Sequence, residues 1–304
     1  MSEDEVRPDS TVIGDVASPP FVRLPDPARL FIDRTQRLRV LAARSAIAPY
    51  LLFLAGLTEY QYRIQDGLPE PEMPDETVQA RARAHAMPPL ARAGFRPDAA
   101  FRATLAALVD TAGDIPQMPA ARAALERVRA ADGRTHEAMV GAVLATAIPA
   151  ETLAEHVYVA AALQVHFARC AARLDGEALV PVGDGACPSC GGPPASSLVV
   201  GWRGAHGTRF CACALCGTFW HTVRIKCTLC GSTKGVGYQE VEGEGGTIKA
   251  ETCDACRSYV KVLYQVKDAD LEPVADDAAS LGLDLLMQGG PYRRGGFNPF
   301  LLGY

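Results

Sequence analysis

The sequence predicts an α+β protein, in which an irregular all-α N-terminal domain is followed by two tandem four-cysteine modules and by a C-terminal helix and tail. Three observations support this fold class. Before residue 180, apolar residues recur at helical spacing with almost no two-residue alternation. After residue 186, eight of the ten cysteines form four Cys-x-x-Cys pairs. Short β-type segments separate these pairs, as in the hairpins of zinc-ribbon and rubredoxin-like metal modules.

The domain boundaries follow from changes in composition along the chain of 304 residues. Residues 1–20 are polar, acidic and proline-bearing, and we expect them to be poorly ordered. The all-α domain is predicted over residues 21–178. The first four-cysteine module is predicted over 186–226 and the second over 227–267, which leaves 268–304 for the C-terminal helix and tail.

The helices are predicted from start signals and from periodic apolar positions. Asp26 followed by Pro27 is typical of an N-cap and a first helical residue. One helical face then carries four apolar residues, Phe31, Leu38, Leu41 and Ala42. Further helices are predicted over residues 47–65, 76–86, 98–112, 119–131, 135–147, 151–174 and 275–287.

The cysteine pairs form a duplicated pattern, because the second two pairs repeat the first two at an offset of 40 residues. Both copies read C-x2-C-x22-C-x2-C. Two cysteines three apart on a tight turn can direct both sulfurs at one cation, and two such turns complete a tetrahedron. The predicted ligands are Cys187, Cys190, Cys213 and Cys216 for one metal ion, and Cys227, Cys230, Cys253 and Cys256 for the other.

The residues around the pairs fit metal-binding turns. Glycine follows the second cysteine in three turns, at a position that suits a positive φ, whereas Arg257 follows it in the fourth. Tetrahedral sulfur accepts both iron and zinc, so the spacing leaves the metal open. Strands are predicted beside the turns, over Ser197–Trp202, Thr218–Ile225, Gly237–Val241 and Tyr259–Val266.

Other uses of the cysteines are less favoured. A disulfide framework suits a small secreted domain, whereas this chain can bury a core without cross-links and begins with no basic and apolar leader. Dithiol redox chemistry normally uses a single pair. A chaperone of the DnaJ type would continue each pair into Gly-x-Gly, which none of these does. Each module is small, so we expect metal binding to supply much of its folding free energy.

The two remaining cysteines have weaker signals. Cys211 aligns with Glu251 in the 40-residue repeat and therefore lacks a counterpart, which leaves a structural or spare-ligand role open. Cys170 and His166 are four apart on a predicted helix, where an ordinary helix face is favoured over chelation. The other histidines are scattered and are not needed to complete either site.

Charge and composition exclude several function classes. The formal charge of the chain is −5, which does not indicate a nucleic-acid partner. Residues 187–267 carry a formal charge of +4, but eight thiolates with two divalent cations add a net negative charge that offsets it. The longest apolar stretch, Ala46 to Leu57, is too short to span a bilayer. Reduced thiols and the absence of a signal peptide favour the cytoplasm. No catalytic motif or cofactor loop is present, so we expect neither an enzyme nor a small-molecule substrate.

Three regions of the sequence carry a family resemblance. The first contains Leu24-Pro25-Asp26-Pro27 and the stretch from Tyr50 to Ala55. The second runs from Ala161 to Val165 and on through the four cysteine turns with Arg224. The third is the tail from Ser280 to Met287, which ends in Asn298-Pro299-Phe300-Leu301-Leu302. On these residues the chain resembles the FdhE family of formate dehydrogenase accessory (formation) proteins.

The resemblance implies a cytoplasmic assembly factor for respiratory formate dehydrogenase that binds the catalytic subunit of that enzyme. It also implies two rubredoxin-like modules with iron as the metal. The expected client surface lies near the modules, around Arg224, Arg257 and the hairpin tip at Gly245. From the residues alone, a rubredoxin-like electron-transfer protein and a nucleic-acid-binding zinc-ribbon protein remain alternatives.

Overall fold

The structure of this chain is a computed structural model that describes residues 19–243 and 245–301. The expectation that residues 1–20 are poorly ordered therefore falls, apart from its last two positions, outside the described residues. Within the described ranges no helix is both long enough and apolar enough to cross a membrane.

The N-terminal region is helical, as predicted. Asp26 caps the first helix, since its carboxylate accepts a hydrogen bond from the Ala28 backbone N–H at 3.0 Å, and Pro27 opens the helix. Asp75, Asp98 and Asp132 cap three later helices in the same way. The helices are α1 (Pro27–Ala42), α2 (Ala48–Arg63), α3 (Glu76–Ala84), α4 (Ala99–Ala112), α5 (Pro119–Ala130), α6 (Gly133–Leu144) and α7 (Leu153–Ala171).

Helix α7 is the central element of this region, because it packs against α4, α5 and α6 and is buried along nearly its whole length. Small side chains such as Ala160, Ala161 and Ala162 let neighbouring helices approach it closely. A helix that is apolar on all faces is stable only inside a protein. The position of α7 therefore fixes where the surrounding helices, and the sheet beyond them, can pack.

The cysteine region folds into one mixed sheet. Within the described residues its path runs β1-β4-β3-β2-β7-β6-β5, with β8 also paired to β7. Strands β2 and β7 pair in parallel and so join the first module to the second. The strands are β1 (Val22–Arg23), β2 (Pro194–Val199), β3 (Arg209–Cys213), β4 (Phe219–Thr222), β5 (Val236–Gln239), β6 (Ile248–Cys253), β7 (Ser258–Tyr264) and β8 (Arg293–Arg294).

Four strands were not predicted from the sequence: the two-residue strands β1 and β8, and the longer strands β3 and β6. Strand β3 is buried along its whole length and lacks the alternation that marks a half-exposed strand. Strand β6 is buried over its last four residues, and its stretch Ile248-Lys249-Ala250-Glu251 does alternate but was missed. Strands β3 and β6 each lead directly into the second cysteine pair of their module. The predicted strand Thr218–Ile225 is also too long, because β4 ends at Thr222.

The predicted helix over residues 275–287 is wrong in one respect, because it is divided into α8 (Ala275–Ala279) and α9 (Leu281–Met287). The buried Lys261 ammonium explains the break. It donates hydrogen bonds to the backbone carbonyl oxygens of Asp277 (2.8 Å) and Ser280 (3.0 Å). The two carbonyl oxygens therefore bond to the Lys261 side chain of β7, and the backbone of Ser280 is not helical.

One hydrophobic core includes both the helices and the first module. It contains side chains of α2, α4 and α7 together with Cys187, Cys213, Leu215 and Trp220. The second module has a separate, smaller cluster around Ala250, in which Tyr259 packs with residues of α9. The first module is thus built into the main core, whereas the second lies toward the edge of the molecule.

Candidate metal centre

The structure brings the eight predicted ligands together in the two predicted groups of four. In each group, the four Sγ atoms all lie within 4.8 Å of one another. In the first group, Sγ of Cys187 lies 3.6 Å from that of Cys216, and Sγ of Cys190 lies 3.5 Å from that of Cys213. In the second group the corresponding pairs, Cys227 with Cys256 and Cys230 with Cys253, are both 3.8 Å apart.

These distances fit a tetrahedral metal ion. Metal–sulfur bonds of about 2.3 Å place tetrahedral ligands about 3.8 Å apart. The same distances are far too long for disulfides, in which the sulfurs are about 2.05 Å apart. All eight side chains are free cysteines. Sulfur-only donors in this arrangement suit zinc and iron and disfavour magnesium and calcium.

Three of the four turns share one hydrogen-bond pattern. In the first, the Gly191 N–H donates to the Cys187 carbonyl oxygen at 2.8 Å, and in the third the Gly231 N–H donates to that of Cys227 at 3.0 Å. The Gly217 N–H makes the equivalent bond to Cys213 at 3.1 Å. These bonds close the three turns, so that both cysteines of each turn face the same point.

The residue after each pair adopts a left-handed conformation. The three glycines there have φ between +69° and +76°, as the pattern predicted. Arg257 occupies the fourth turn with φ +52°, so the turn keeps its shape although the side chain is not glycine. Non-glycine residues pay about 1–2 kcal/mol for this conformation. The fourth turn therefore keeps the left-handed φ at this position at a cost in backbone strain.

The first site is covered by the helical region. The Leu90 N–H donates to the Ser189 carbonyl oxygen at 2.9 Å, and the Arg92 N–H donates to that of Cys190 at 3.1 Å. On the second turn, the Gln164 side chain of α7 donates to the Ala214 carbonyl oxygen at 2.9 Å. Backbone groups of both turns are thus held by residues outside the module.

A pair of hydrogen-bonded hydroxyl groups reaches one sulfur of the first site. Oγ1 of Thr218 lies 3.2 Å from Sγ of Cys216, and Oγ of Ser189 lies 2.9 Å from Oγ1 of Thr218. Both hydroxyl-bearing residues are fully buried. A hydroxyl that donates to a metal-bound thiolate stabilises its negative charge and orients the ligand.

Burial makes the first site unsuitable for four free thiolates. Loss of hydration raises the pKa of the Cys187 thiol well above its ordinary value. Hydrogen bonds from Cys187, Cys190 and Cys216 lower the pKa of Cys213, so that one thiolate is held by its protonated neighbours. A divalent cation would replace these shared protons and compensate the negative charge. The donor set therefore fits a metal ion.

The second site is more open than the first. All four ligands of the first site are buried, whereas Cys230 is exposed and Cys256 is half-buried. Cys256 lines a groove of about 790 Å³, together with Arg257 and residues of the segment from Gln288 to Arg294. Two sites of the same origin thus differ in their access to solvent.

The remaining candidate residues lie outside both groups. Cys211 is buried in β3, and burial raises its pKa to about 12. Cys170 is buried on α7, where burial likewise raises its pKa to about 12. His166 lies among Phe95, Phe101 and Phe167, as expected for a helix face packed in the core.

Sequence reasoning missed the buried ion pairs that hold the sheet and tail. Arg209 of β3 pairs with Glu251 of β6 at 2.6 Å. Lys261 and Arg294 both pair with Asp277 and Asp284 in the interior. These residues are far apart in sequence and carry no local pattern that predicts the ion pairs. Glu251 alone was singled out in the sequence, because the repeat aligns it with Cys211.

The helical N-terminal region and the sheet that carries two four-cysteine groups define a class of protein with two sites of metal-binding geometry. Three family models match this chain. They are described as FdhE, N-terminal (residues 19–184), FdhE, central domain (186–224) and FdhE, C-terminal domain (225–301). The chain belongs to the FdhE family.

Similar proteins match over nearly the full length of the chain. The Protein FdhE homolog of Rhizobium meliloti (strain 1021) is 50% identical over 307 residues, with 100% of both chains covered. That of Edwardsiella ictaluri (strain 93-146) is 36% identical and covers 91% of this chain and 90% of the relative. The crystal structure of the FdhE protein from Pseudomonas aeruginosa superposes with a TM-score of 0.83 at 33% identity, covering 94% and 99% of the two chains. The resemblance seen in the sequence is confirmed.

Proposed function

We propose that this protein is a cytoplasmic accessory protein for the assembly of respiratory formate dehydrogenase, and that it binds the catalytic subunit of that enzyme without catalysing a reaction. The observation that carries the proposal is the presence of two complete four-cysteine groups in a chain that matches the FdhE family from end to end. Metal-stiffened turns provide a rigid surface on which loops can be displayed to a partner.

Each group binds one metal ion in this proposal. Cys187, Cys190, Cys213 and Cys216 hold the first ion, and Cys227, Cys230, Cys253 and Cys256 hold the second. Iron is the metal that the family resemblance implies, and the sulfur spacing suits zinc equally well. Elemental analysis of protein purified from its natural host would identify the metal, with two equivalents per chain expected.

The client is proposed to dock beside the second site. The groove at Cys256 is open to solvent and lined by Arg257 and Arg293, so it offers positive charge to an acidic segment. The first site offers no comparable surface, since all of its ligands are buried. Docking in this groove would place the client against Cys256, a half-buried metal ligand.

The proposal is tested in cells that respire formate. Deletion of the gene should abolish formate dehydrogenase activity while leaving the messenger RNA of the catalytic subunit unchanged. Cys190→Ser and Cys230→Ser variants should each fail to restore activity, whereas Cys170→Ala should restore it because Cys170 belongs to neither group. Full activity in the deletion strain would contradict the assembly role.

A direct test uses the purified protein and the catalytic subunit. Capture of the subunit by the tagged chain should weaken in Arg257→Glu and persist in Arg203→Glu, which changes an exposed arginine outside the groove. Loss of binding in both variants would indicate nonspecific charge attraction. Equal binding by both variants and the unmodified chain would place the client elsewhere.

Electron transfer is the second candidate function, and the exposure of Cys230 favours it. Sulfur-ligated iron near the surface is the arrangement that a rubredoxin-like carrier needs. Voltammetry of the iron-loaded protein separates the two candidates. A reversible one-electron wave, together with normal enzyme assembly in the deletion strain, would favour electron transfer over assembly.

A further inference from the structure

The two four-cysteine sites have the same turns and sulfur spacing but different surroundings. Every ligand of the first site is buried, and its first turn is bonded to the backbone of Leu90 and Arg92. A Cβ on Gly191 would approach Cγ of Pro88 to 3.0 Å, which shows how closely the helical region covers that turn. The four side chains are at most 2% exposed, so a chelator reaches these sulfurs only when the surrounding packing opens.

Opening the first site would also disturb the main core. Its ligands Cys187, Cys190, Cys213 and Cys216 belong to the same buried cluster as Leu54, Leu108 and Tyr158. The free energy of a local opening that exposes core residues approaches that of global unfolding, whereas an opening at the edge of the molecule requires much less free energy. Access to the first site is therefore coupled to unfolding of the protein as a whole.

The second site is partly exposed in the folded protein. Cys230 is exposed on the turn between Cys227 and Gly231, which Asp184 and Gly185 approach and whose Leu229 side chain lies against Gly295. A Cβ on Gly231 would clash with the Asp184 carboxylate. Cys256, the ligand from the fourth turn, lines the open groove. Two of the four ligand sulfurs thus belong to residues that solvent can reach without any unfolding.

We propose that the second site exchanges its metal ion with thiol or chelator ligands from solution, beginning at Cys230, and that the first site keeps its ion as long as the protein is folded. The inference rests on the metal binding of the proposed function. It assigns different roles to the two sites, with the first as a structural element of the core and the second as a site of metal uptake and release.

The exchange is a substitution at the metal without oxidation or reduction. A donor atom of the incoming ligand forms a bond to the ion as the bond from Cys230 Sγ breaks. The released thiolate takes a proton from water, and the remaining cysteines leave in turn as further donors bind. Cys230 is the first to leave because its sulfur is held by an exposed turn, whereas Cys227 and Cys253 are buried.

The test uses the full-length protein loaded with two equivalents of zinc and the chromophoric chelator 4-(2-pyridylazo)resorcinol. One equivalent should be released at least about tenfold faster than the other, since only one site opens without unfolding. A single phase for both equivalents would overturn the inference while leaving the two-metal protein intact. Failure to load two equivalents would instead contradict the metal binding on which the proposed function depends.

Cysteine labelling of the unmodified protein shows which site opens. During the fast phase, N-ethylmaleimide should label Cys230 first and then the other ligands of the second site. Trypsin separates the sites, because cleavage after Lys226 and Lys234 isolates Cys227 and Cys230 in one peptide. Earlier labelling of Cys187 or Cys190 would overturn the inference.

Two matched variants give an independent check. Cys230→Ser should lose the fast equivalent and release the remaining one at the slow rate of the unmodified protein. Cys190→Ser should lose the slow equivalent. If Cys190→Ser does not fold, the labelling order in the unmodified protein decides between the outcomes.

Discussion

Arg209 and Glu251 form a buried ion pair, with Nη1 of the arginine 2.6 Å from Oε2 of the glutamate, that links strand β3 of the first module to strand β6 of the second. The guanidinium also donates to Oγ of Ser197 in β2, and the Tyr238 hydroxyl donates to the same glutamate oxygen. The pair therefore joins strands from both modules. Glu251 is also the position that aligns with Cys211 in the 40-residue repeat.

Breaking this pair should destabilise the protein strongly. Glu251→Ala leaves the Arg209 charge buried without a partner, and we expect a loss of about 3–5 kcal/mol in the free energy of unfolding. Urea denaturation of the metal-loaded variant and the unmodified protein measures this loss in unfolding free energy. The double substitution Arg209→Met with Glu251→Leu should recover part of the loss because no unpaired charge remains. A loss from Glu251→Ala as small as that from an exposed substitution would contradict the prediction.

His166 should make stability depend on pH. Burial lowers its pKa below the ordinary 6.5, with the Asp98 carboxylate raising the pKa and the Arg169 charge lowering it. The folded state therefore binds fewer protons than the unfolded state as pH falls below 6.5. Its contribution is fully present above that pH and is lost as pH falls toward the lowered value.

The measurement is the difference in unfolding free energy between the unmodified protein and His166→Phe, taken from pH 5 to pH 8. Phenylalanine suits the surrounding rings of Phe95, Phe101 and Phe167 and does not titrate. The unmodified protein should lose more stability on acidification than the variant does. Parallel pH profiles for the two proteins would contradict a buried neutral histidine.

Metal loss at the two sites should have unequal effects on the helices. The separate modules predicted from sequence would let a chelator unfold residues 187–267 and leave the helical domain intact. The shared core changes this expectation for the first site. Cys190→Ser should lower the Tm of the helical signal in far-UV circular dichroism markedly, and Cys230→Ser should lower it less. Equal effects on that signal would show that the modules do not differ in their coupling to the helices.

The turn glycines should tolerate substitution according to their surroundings. Gly217 has φ +72°, and a Cβ there would lie 2.8 Å from Cδ2 of Leu30. Gly204 has a similar φ of +78° with nothing within 4 Å. Gly204→Ala should cost about 1–2 kcal/mol from backbone strain alone, and Gly217→Ala should cost more because the contact with α1 adds to it. Chemical denaturation of both variants compares them, and equal costs would exclude a contribution from Leu30.

The sequence by itself determined the local features. Helix starts such as Asp26-Pro27 are readable because the cap and the first turn are neighbours along the chain. The grouping of the cysteines is readable for the same reason, since two ligands three apart already share a turn and the repeat shows which turns belong together. The positive φ after each pair follows from glycine in three turns, and Arg257 is the position where local reasoning gave no answer.

Only the tertiary structure decided how these parts fit together. Strand β3 escaped prediction because a buried strand lacks alternation. Helix α8 ends where it does because the Lys261 side chain reaches it from β7. The modules are equivalent in their cysteine spacing, yet Cys190 is buried and Cys230 is exposed. That difference arises because the turn of Cys190 is bonded to the segment at Leu90 and Arg92, whereas Cys230 lies on an exposed turn. Packing between distant segments is set by the whole fold, whereas spacing within a turn is set by a few bonds.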